Sequence, residues 1–279
     1  MRNNPVPLLS AHGAEIPMLG FGTSPQTGPV TAEEVLAALK AGYRHIDTAR
    51  KYGSERAVGE AIRNSGIARD EIFLVTKVSH EDLRAADFAR SVEQSLAALG
   101  VAQVDLLMVH SPNPSIPLGE TMPALARAKR QGLTRRIGVA NFNIALLDEA
   151  IRLCPEPLVA LQAEYHPYLD QSKLLAAVRQ RGLAFVAYCP LGRGRLFGDP
   201  VLTDIAAARG RSVAQVALRW LMQQNVAAIP RSSKPQRMAE NLNVFDFALG
   251  DDEMQRIFAL KRERGRIANP VERVAGGWD

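Results

Sequence analysis

The chain has 279 residues, 47% hydrophobic and 23% charged, the composition of an ordinary water-soluble globular protein with a large core. No apolar run approaches the roughly 20 residues of a membrane helix, and the start, MRNNPVPLLSAHGAEIPML, lacks the apolar core of an export signal, so a cytoplasmic protein without a membrane partner is expected. The formal charge of +5 is spread among acids, and the densest basic run, KRERGR at 261–266, contains Glu263 and no aromatic residue, which reads as solvated surface rather than a nucleic-acid site.

The leading VPLLSAHGAEIPML has two short apolar pieces around a polar SAHGAE and reads as a β-hairpin. After it, short apolar runs recur: MLGFG (18–22), YRHID (43–47), FLVTK (73–77), VDLLMVH (104–110), RIGVAN (136–141), VALQAEY (159–165), AFVAYC (184–189) and VAAIPR (226–231). Each is nearly continuous rather than alternating, the pattern of strands buried on both faces.

Helical patterns lie between them. Thr31 with Glu34 makes a capping-box signature before Val35, Leu36 and Leu39, with a stop at Gly42. Segments 54–64, 84–99, 119–131, 143–152 and 171–181 follow, several ending near a glycine, and Ser212 with Gln215 repeats the capping signature. Strand then helix, eight times, predicts a (β/α)8 TIM barrel. The hairpin would close its floor, and no linker divides residues 1–279, so one domain is expected. Cys154 and Cys189 match no CxxC pattern and read as reduced thiols, and HEDLR at 80–84 lacks the second histidine of a zinc-protease motif, so no metal site is indicated.

In such a barrel the chemistry belongs at the C-terminal strand ends. Those ends carry Gly22 and Thr23, Asp47, Lys77, His110, Asn141, Gln162 and Glu164, Tyr188, and Arg231 with Ser232; Tyr52 follows five residues after Asp47. Singly, each has an ordinary reading: Asp47 as a helix cap, Lys77 as a snorkelling surface residue, His110 as a core histidine, Tyr52 as a rim aromatic. Jointly they share one rim. A phenol is a poor acid at neutral pH, and an ammonium beside it, Lys77 held by Asp47, would lower its pKa. A neutral His110 can orient a carbonyl oxygen. These groups suit protonation of an oxygen as its carbon is attacked, yet include no nucleophile, which points to an external hydride and a nicotinamide cofactor.

The stretches DTARKYGSE, LVTKV, DLLMVHSP, IGVANF, LQAEYHPY, AYCPLG and IPRSSKPQRMAENL, in this order along nearly the whole chain, resemble the successive signatures of the aldo-keto reductases. Within that family the ending GRIANPVERVAGGWD and the short chain most resemble bacterial enzymes of the 2,5-diketo-D-gluconate reductase B type. The resemblance implies an NADP(H)-dependent reductase of small carbonyl compounds, working as a monomer. It makes Tyr52 the general acid, Lys77 and Asp47 its tuning pair, and His110 the carbonyl-orienting residue. Asn141 and Gln162 would hold the nicotinamide carboxamide, with Tyr188 stacked on the ring and Gly22, Thr23 and Asp47 beside it. Leu191 and Gly192 would approach the pyrophosphate, and Arg231, Ser232, Arg237, Glu240 and Asn241 the adenosine and its 2′-phosphate.

Departures from the family pattern bear on the substrate. Ala140 replaces a usual serine. Ser24, Ser79 and Ser111 stand where relatives often carry aromatics, which predicts a wide, polar pocket that Trp278 partly refills. Arg193 and Arg195, after the seventh strand, add the expectation of polar or anionic carbonyls; keto-sugar acids, dicarbonyls, β-keto esters and simple aldehydes all remain open. Other nucleotide-binding patterns are absent: no tyrosine has Lys four residues later, GFGTSP fails the Rossmann glycine spacing, and there is no P-loop. A cofactor-binding protein without turnover would fit a damaged tetrad, whereas all four residues are present.

Overall fold

The structure, a computed structural model, describes residues 6–25, 28–268, 274 and 276–279; part of the ending that carries the resemblance therefore lies outside the described residues. Strands β1 (Leu8–Ala11) and β2 (Ala14–Pro17) form the expected hairpin, turning through His12 and Gly13, both at positive φ. Eight parallel strands follow: β3 (Phe21–Gly22), β4 (His45–Asp47), β5 (Phe73–Val78), β6 (Val104–Val109), β7 (Thr134–Ala140), β8 (Leu158–Glu164), β9 (Ala184–Tyr188) and β10 (Val226–Ala228). Each pairs with its sequence neighbour. The ring closes where Leu19 bridges Ala228, with Gly20 N–H donating to Ala228 O and Gly22 N–H to Pro230 O.

Alternate residues of these strands serve two cores. Val75, Leu106, Met108, Ala160, Val186 and Ala227 pack with Ala11, Ala14 and Ile16 of the hairpin inside the barrel, which plugs its floor. Leu74, Leu107, Val109, Leu161 and Phe185 face the helices outside. Double burial explains why the strands read as unbroken apolar runs.

The helices are α1 (Ala32–Ala41), α2 (Glu55–Asn64), α3 (Ala85–Leu99), α4 (Leu118–Arg130), α5 (Ile144–Leu153), α6 (Ser172–Gln180), α7 (Pro200–Arg209), α8 (Val213–Gln223), α9 (Pro235–Leu242) and α10 (Asp251–Phe258). Both capping boxes form, at Thr31–Glu34 and Ser212–Gln215, and α1 stops at Gly42 with φ 117°. Sequence patterning missed α7 and α10. Helix α7 has Pro200 in its first turn and spreads its apolar residues with little amphipathy; α10 has only Ile257 buried.

Gly59 of α2 lets that helix lie directly on the end of α3. A Cβ at Gly59 would sit 2.1 Å from Leu99 O, a backbone atom that cannot swing away. Gly59→Ala is therefore expected to destabilise by about 1–3 kcal/mol through overpacking, although alanine is the better helix former by about 1 kcal/mol. A thermal melt reads the sign, at about 2–4 °C per kcal/mol in a chain of this size; a raised midpoint would mean the two helices separate at little cost.

Candidate active site

The C-terminal ends of the strands open onto a cavity of about 1310 Å3 lined by Gly22, Ser24, Asp47, Tyr52, His110, Ser111, Asn141, Gln162, Tyr188, Leu191, Arg193, Arg231, Ser232, Arg237, Glu240 and Asn241, among others. Asp47 in this lining belongs to a buried ion pair. Lys77 on β5, 0% exposed, places Nζ 2.6 Å from Asp47 Oδ1 at the end of β4 and 3.0 Å from Thr48 O. Gln162 Nε2 donates to the other oxygen, Oδ2, at 2.8 Å. A buried charge pair persists only when its remaining hydrogen-bonding capacity is satisfied, and Asp47 receives a donor on each oxygen.

Tyr52 lies in a short 3-10 turn, Arg50–Tyr52, that leaves β4. Its Oη is 3.4 Å from His110 Nε2, the two rings meeting edge to face, and Lys77 Nζ is 5.4 Å from the phenol ring centre. One oxygen atom can therefore face both Tyr52 and His110. The phenol's pKa is pushed well above its ordinary value, first by burial and then by the Asp47 charge, with a hydrogen bond from Ser24 acting the other way. The net direction is thus upward, where the sequence leads one to expect a phenol lowered by Lys77. The ammonium is held to Asp47 and Thr48 O, and burial pulls the lysine's own pKa down.

A second network links the strands that follow. Asn141, at φ 63° just past β7, donates from Nδ2 to His110 O at 2.8 Å and accepts at Oδ1 from Tyr188 Oη at 2.7 Å. An asparagine amide has two donor hydrogens and two acceptor lone pairs, so one of each is left to address a ligand amide. Cys189 also has positive φ, 50°, in the cavity wall. Left-handed backbone at non-glycine residues costs energy and concentrates at functional sites.

At the other end of the cavity, Lys234 precedes α9, with Pro235 in its first turn; Arg237 is exposed and Asn241 buried. Arg231 is differently placed. Its Nη1 donates to Ser24 O at 2.5 Å and Gly28 O at 2.9 Å, and its Nη2 is 3.5 Å from Glu34, which ties the exit of β10 to the loop after β3.

The family model for the Aldo/keto reductase family matches residues 18–262. The chain belongs to the aldo/keto reductase family. It is similar to a glyoxal reductase of Bacillus subtilis (strain 168), at 38% identity over 262 residues covering 94% of this chain and 95% of that one. A crystal structure bearing the name 2,5-diketo-D-gluconic acid reductase B superposes with a TM-score of 0.94 at 42% identity, covering 99% of both chains. A Bombyx mori aldo-keto reductase in complex with NADP gives 0.86 at 32%, covering 92% of this chain and 93% of that one. The protein is thus an oxidoreductase of this family.

Not every expected residue of this family member faces the cavity. Thr23 is buried, with Oγ1 donating to Asp47 O, and Gly192 is buried in the 3-10 turn Gly192–Gly194; neither is in the cavity lining. Ser79 is buried against His80 and Glu81, and Trp278 stacks 3.7 Å from the Arg266 guanidinium; neither is part of the cavity lining, which includes Ser24 and Ser111. Arg193 lines the cavity and Arg195 does not. Sequence reading missed Cys189, Phe197, Ser233 and Ala268 in the wall. Nothing marks them but position, although the capping box at Ser212 does place the start of α8 there. Among the described residues no cluster of metal-ligating side chains occurs, and no helix is long and apolar enough to cross a membrane.

Proposed function

We propose that this protein reduces small polar aldehydes or ketones with NADPH, using Tyr52 as the proton donor. The observation that carries the reading is the Tyr52–His110 pair, 3.4 Å apart beside the buried Asp47–Lys77 ion pair, in a cavity of about 1310 Å3 whose lining runs on to Arg237 and Asn241.

The donor set fits the cofactor. Asn141 and Gln162 keep amide capacity for a carboxamide, and Tyr188, hydrogen-bonded to Asn141, supplies a ring beside them. Ser232, Arg237 and the N-terminal end of α9 collect positive potential and N–H donors at the far end, as a phosphate requires. A Cβ at Gly22 would lie 2.7 Å from Ile229 O, so this part of the cavity wall exists because the residue is glycine. The bound nicotinamide would supply the hydride to the carbonyl carbon.

The chain's own residues handle the oxygen. Tyr52 stays protonated because burial and the Asp47 carboxylate both oppose its ionisation. As the oxygen becomes anionic, Tyr52 Oη delivers its proton and His110, in the tautomer with Nε2–H, donates a hydrogen bond to the same oxygen. Lys77, 5.4 Å from the phenol ring, stabilises the phenolate left behind.

For the substrate, Ser24 and Ser111 in the wall and Arg193 at the rim favour polar or anionic carbonyls over bulky apolar ketones. Following NADPH absorbance across a panel of keto acids, dicarbonyls, simple aldehydes and bulky ketones tests both statements. Turnover with none of them would remove the reductase reading, and a higher kcat/KM for the bulky ketones would remove the preference.

A further inference from the structure

Glu164, the last residue of β8, has no part in the chemistry above, yet it is 0% exposed at the mouth of the barrel. Its carboxylate reaches not toward the cavity centre but to the chain's C-terminal segment. Oε1 accepts from Ile267 N–H and Oε2 from Ala268 N–H, each at 2.7 Å, and His166 Nε2, also fully buried, lies 2.9 Å from Oε1. Two adjacent main-chain donors on the two oxygens of one carboxylate form a clamp, and hydrogen bonds to an ionised acceptor are the stronger kind.

The residues before the clamp are stapled to the loop after β8. Arg262 N–H donates to Tyr168 O, and its guanidinium stacks 3.6 Å from the Tyr168 ring. A Cβ at Gly265 would lie 1.8 Å from Tyr168 O, so only glycine lets the segment lie this close. Beyond the clamp, the chain is held a second time, at the start of α5. Asn143 Nδ2 donates to Gly277 O and Ile144 N–H to Asp279 Oδ2, both at 2.8 Å.

The two anchors sit after β8 and after β7, the strands that carry Gln162 and Asn141. The proposed adenosine phosphate site lies at the exit of β10, two strands beyond β8. The clamped Ala268 is itself part of the cavity lining, and Arg266 lies close enough to Tyr188 to oppose the rise that burial gives that phenol.

We propose that Glu164 is a positioning residue for the carbonyl end of the site: by holding Ile267 and Ala268 it fixes the stretch that ends at Ala268 as a wall of the cavity, so that carbonyl affinity depends on it far more than cofactor affinity, whose phosphate end lies two strands away. This rests on the reductase reading given above. Glu164→Gln keeps the volume but offers one acceptor oxygen where the segment presents two N–H groups, so one main-chain donor faces an amide NH2. Asp279→Ala releases the second anchor without touching β8, and covers the case in which a buried Glu164 variant fails to fold.

For both variants the expected result is a KM for the best carbonyl substrate raised about tenfold, the equivalent of one charge-assisted hydrogen bond. The NADPH dissociation constant, by fluorescence titration, stays near that of the wild type. Trypsin cuts after Arg264 or Arg266 faster than in the wild type. Faster cleavage with unchanged KM would overturn the proposal, because the segment would be free without consequence for the substrate. Unchanged cleavage in a folded Glu164→Gln would overturn it as well. A wild type that reduces no carbonyl removes the reductase reading instead, and the cleavage rates still decide whether Glu164 holds the segment.

Discussion

Tyr52→Phe is expected to lower kcat for carbonyl reduction by about 10²- to 10⁴-fold, the range for loss of a general acid, while NADPH binds almost as well as to the wild type. The phenylalanine ring keeps the edge-to-face contact with His110 and the volume beside Lys77, and removes only the hydroxyl that lies 3.4 Å from Nε2. The pH profile gives a companion expectation. The phenol's pKa is raised well above its ordinary value, so its protonated form persists throughout the neutral range and beyond. The wild-type reduction rate should therefore not fall between about pH 6 and 9 through ionisation of Tyr52, whose ordinary pKa is already near 10. A falling limb in that range, absent from Tyr52→Phe, would mean that the phenol ionises despite its surroundings. Near-normal turnover by Tyr52→Phe would transfer the proton donor's role to another group.

The barrel was legible because its two cores each leave a mark on the strands. Leu106 and Met108 point inward while Leu107 and Val109 point outward, so β6 reads as an unbroken apolar run whose length and flanking turns give it away. Caps were legible for the same local reason: Thr31 and Ser212 each bond within three residues. What escaped was α7 and α10, which lack a wide apolar stripe. The meeting of Asp47, Lys77 and His110 was legible from their places at or just past the ends of successive strands, which the fold brings together regardless of detail, with Tyr52 in the turn that leaves β4. The clamp at Glu164 was not, because its partners, the main-chain N–H groups of Ile267 and Ala268, have no side-chain signature and lie about a hundred residues away. The direction of the Tyr52 shift escaped for a related reason. Sequence supplies the nearby lysine, but only the folded site shows that Asp47 and Thr48 O hold its ammonium and that burial outweighs it.

The wild-type protein is expected to bind NADPH more tightly than NADH, and Arg237→Ala to remove most of that difference. The motivating geometry separates two arginines that look equivalent in IPRSSKPQRMAENL. Arg231 is turned inward, with one guanidinium nitrogen on Ser24 O and Gly28 O and another near Glu34. Arg237 is exposed in the first turn of α9, beside Ser232 in the cavity lining. A guanidinium meets phosphate oxygens with two parallel N–H groups, and one charge-assisted hydrogen bond of about 1.5–3 kcal/mol corresponds to roughly 10- to 100-fold in affinity. An exposed site is screened by salt, so the measured gap should sit toward the lower end and narrow further at high ionic strength. Arg231→Ala should behave differently. It releases the loop after β3 from the exit of β10, and so should weaken NADPH and NADH together. Fluorescence titration of both cofactors against the wild type and the two variants distinguishes the roles. Equal NADPH and NADH affinities in the wild type would show that neither arginine reads a 2′-phosphate. A loss of preference in Arg231→Ala alone would show that its guanidinium leaves Ser24, Gly28 and Glu34 when the cofactor arrives.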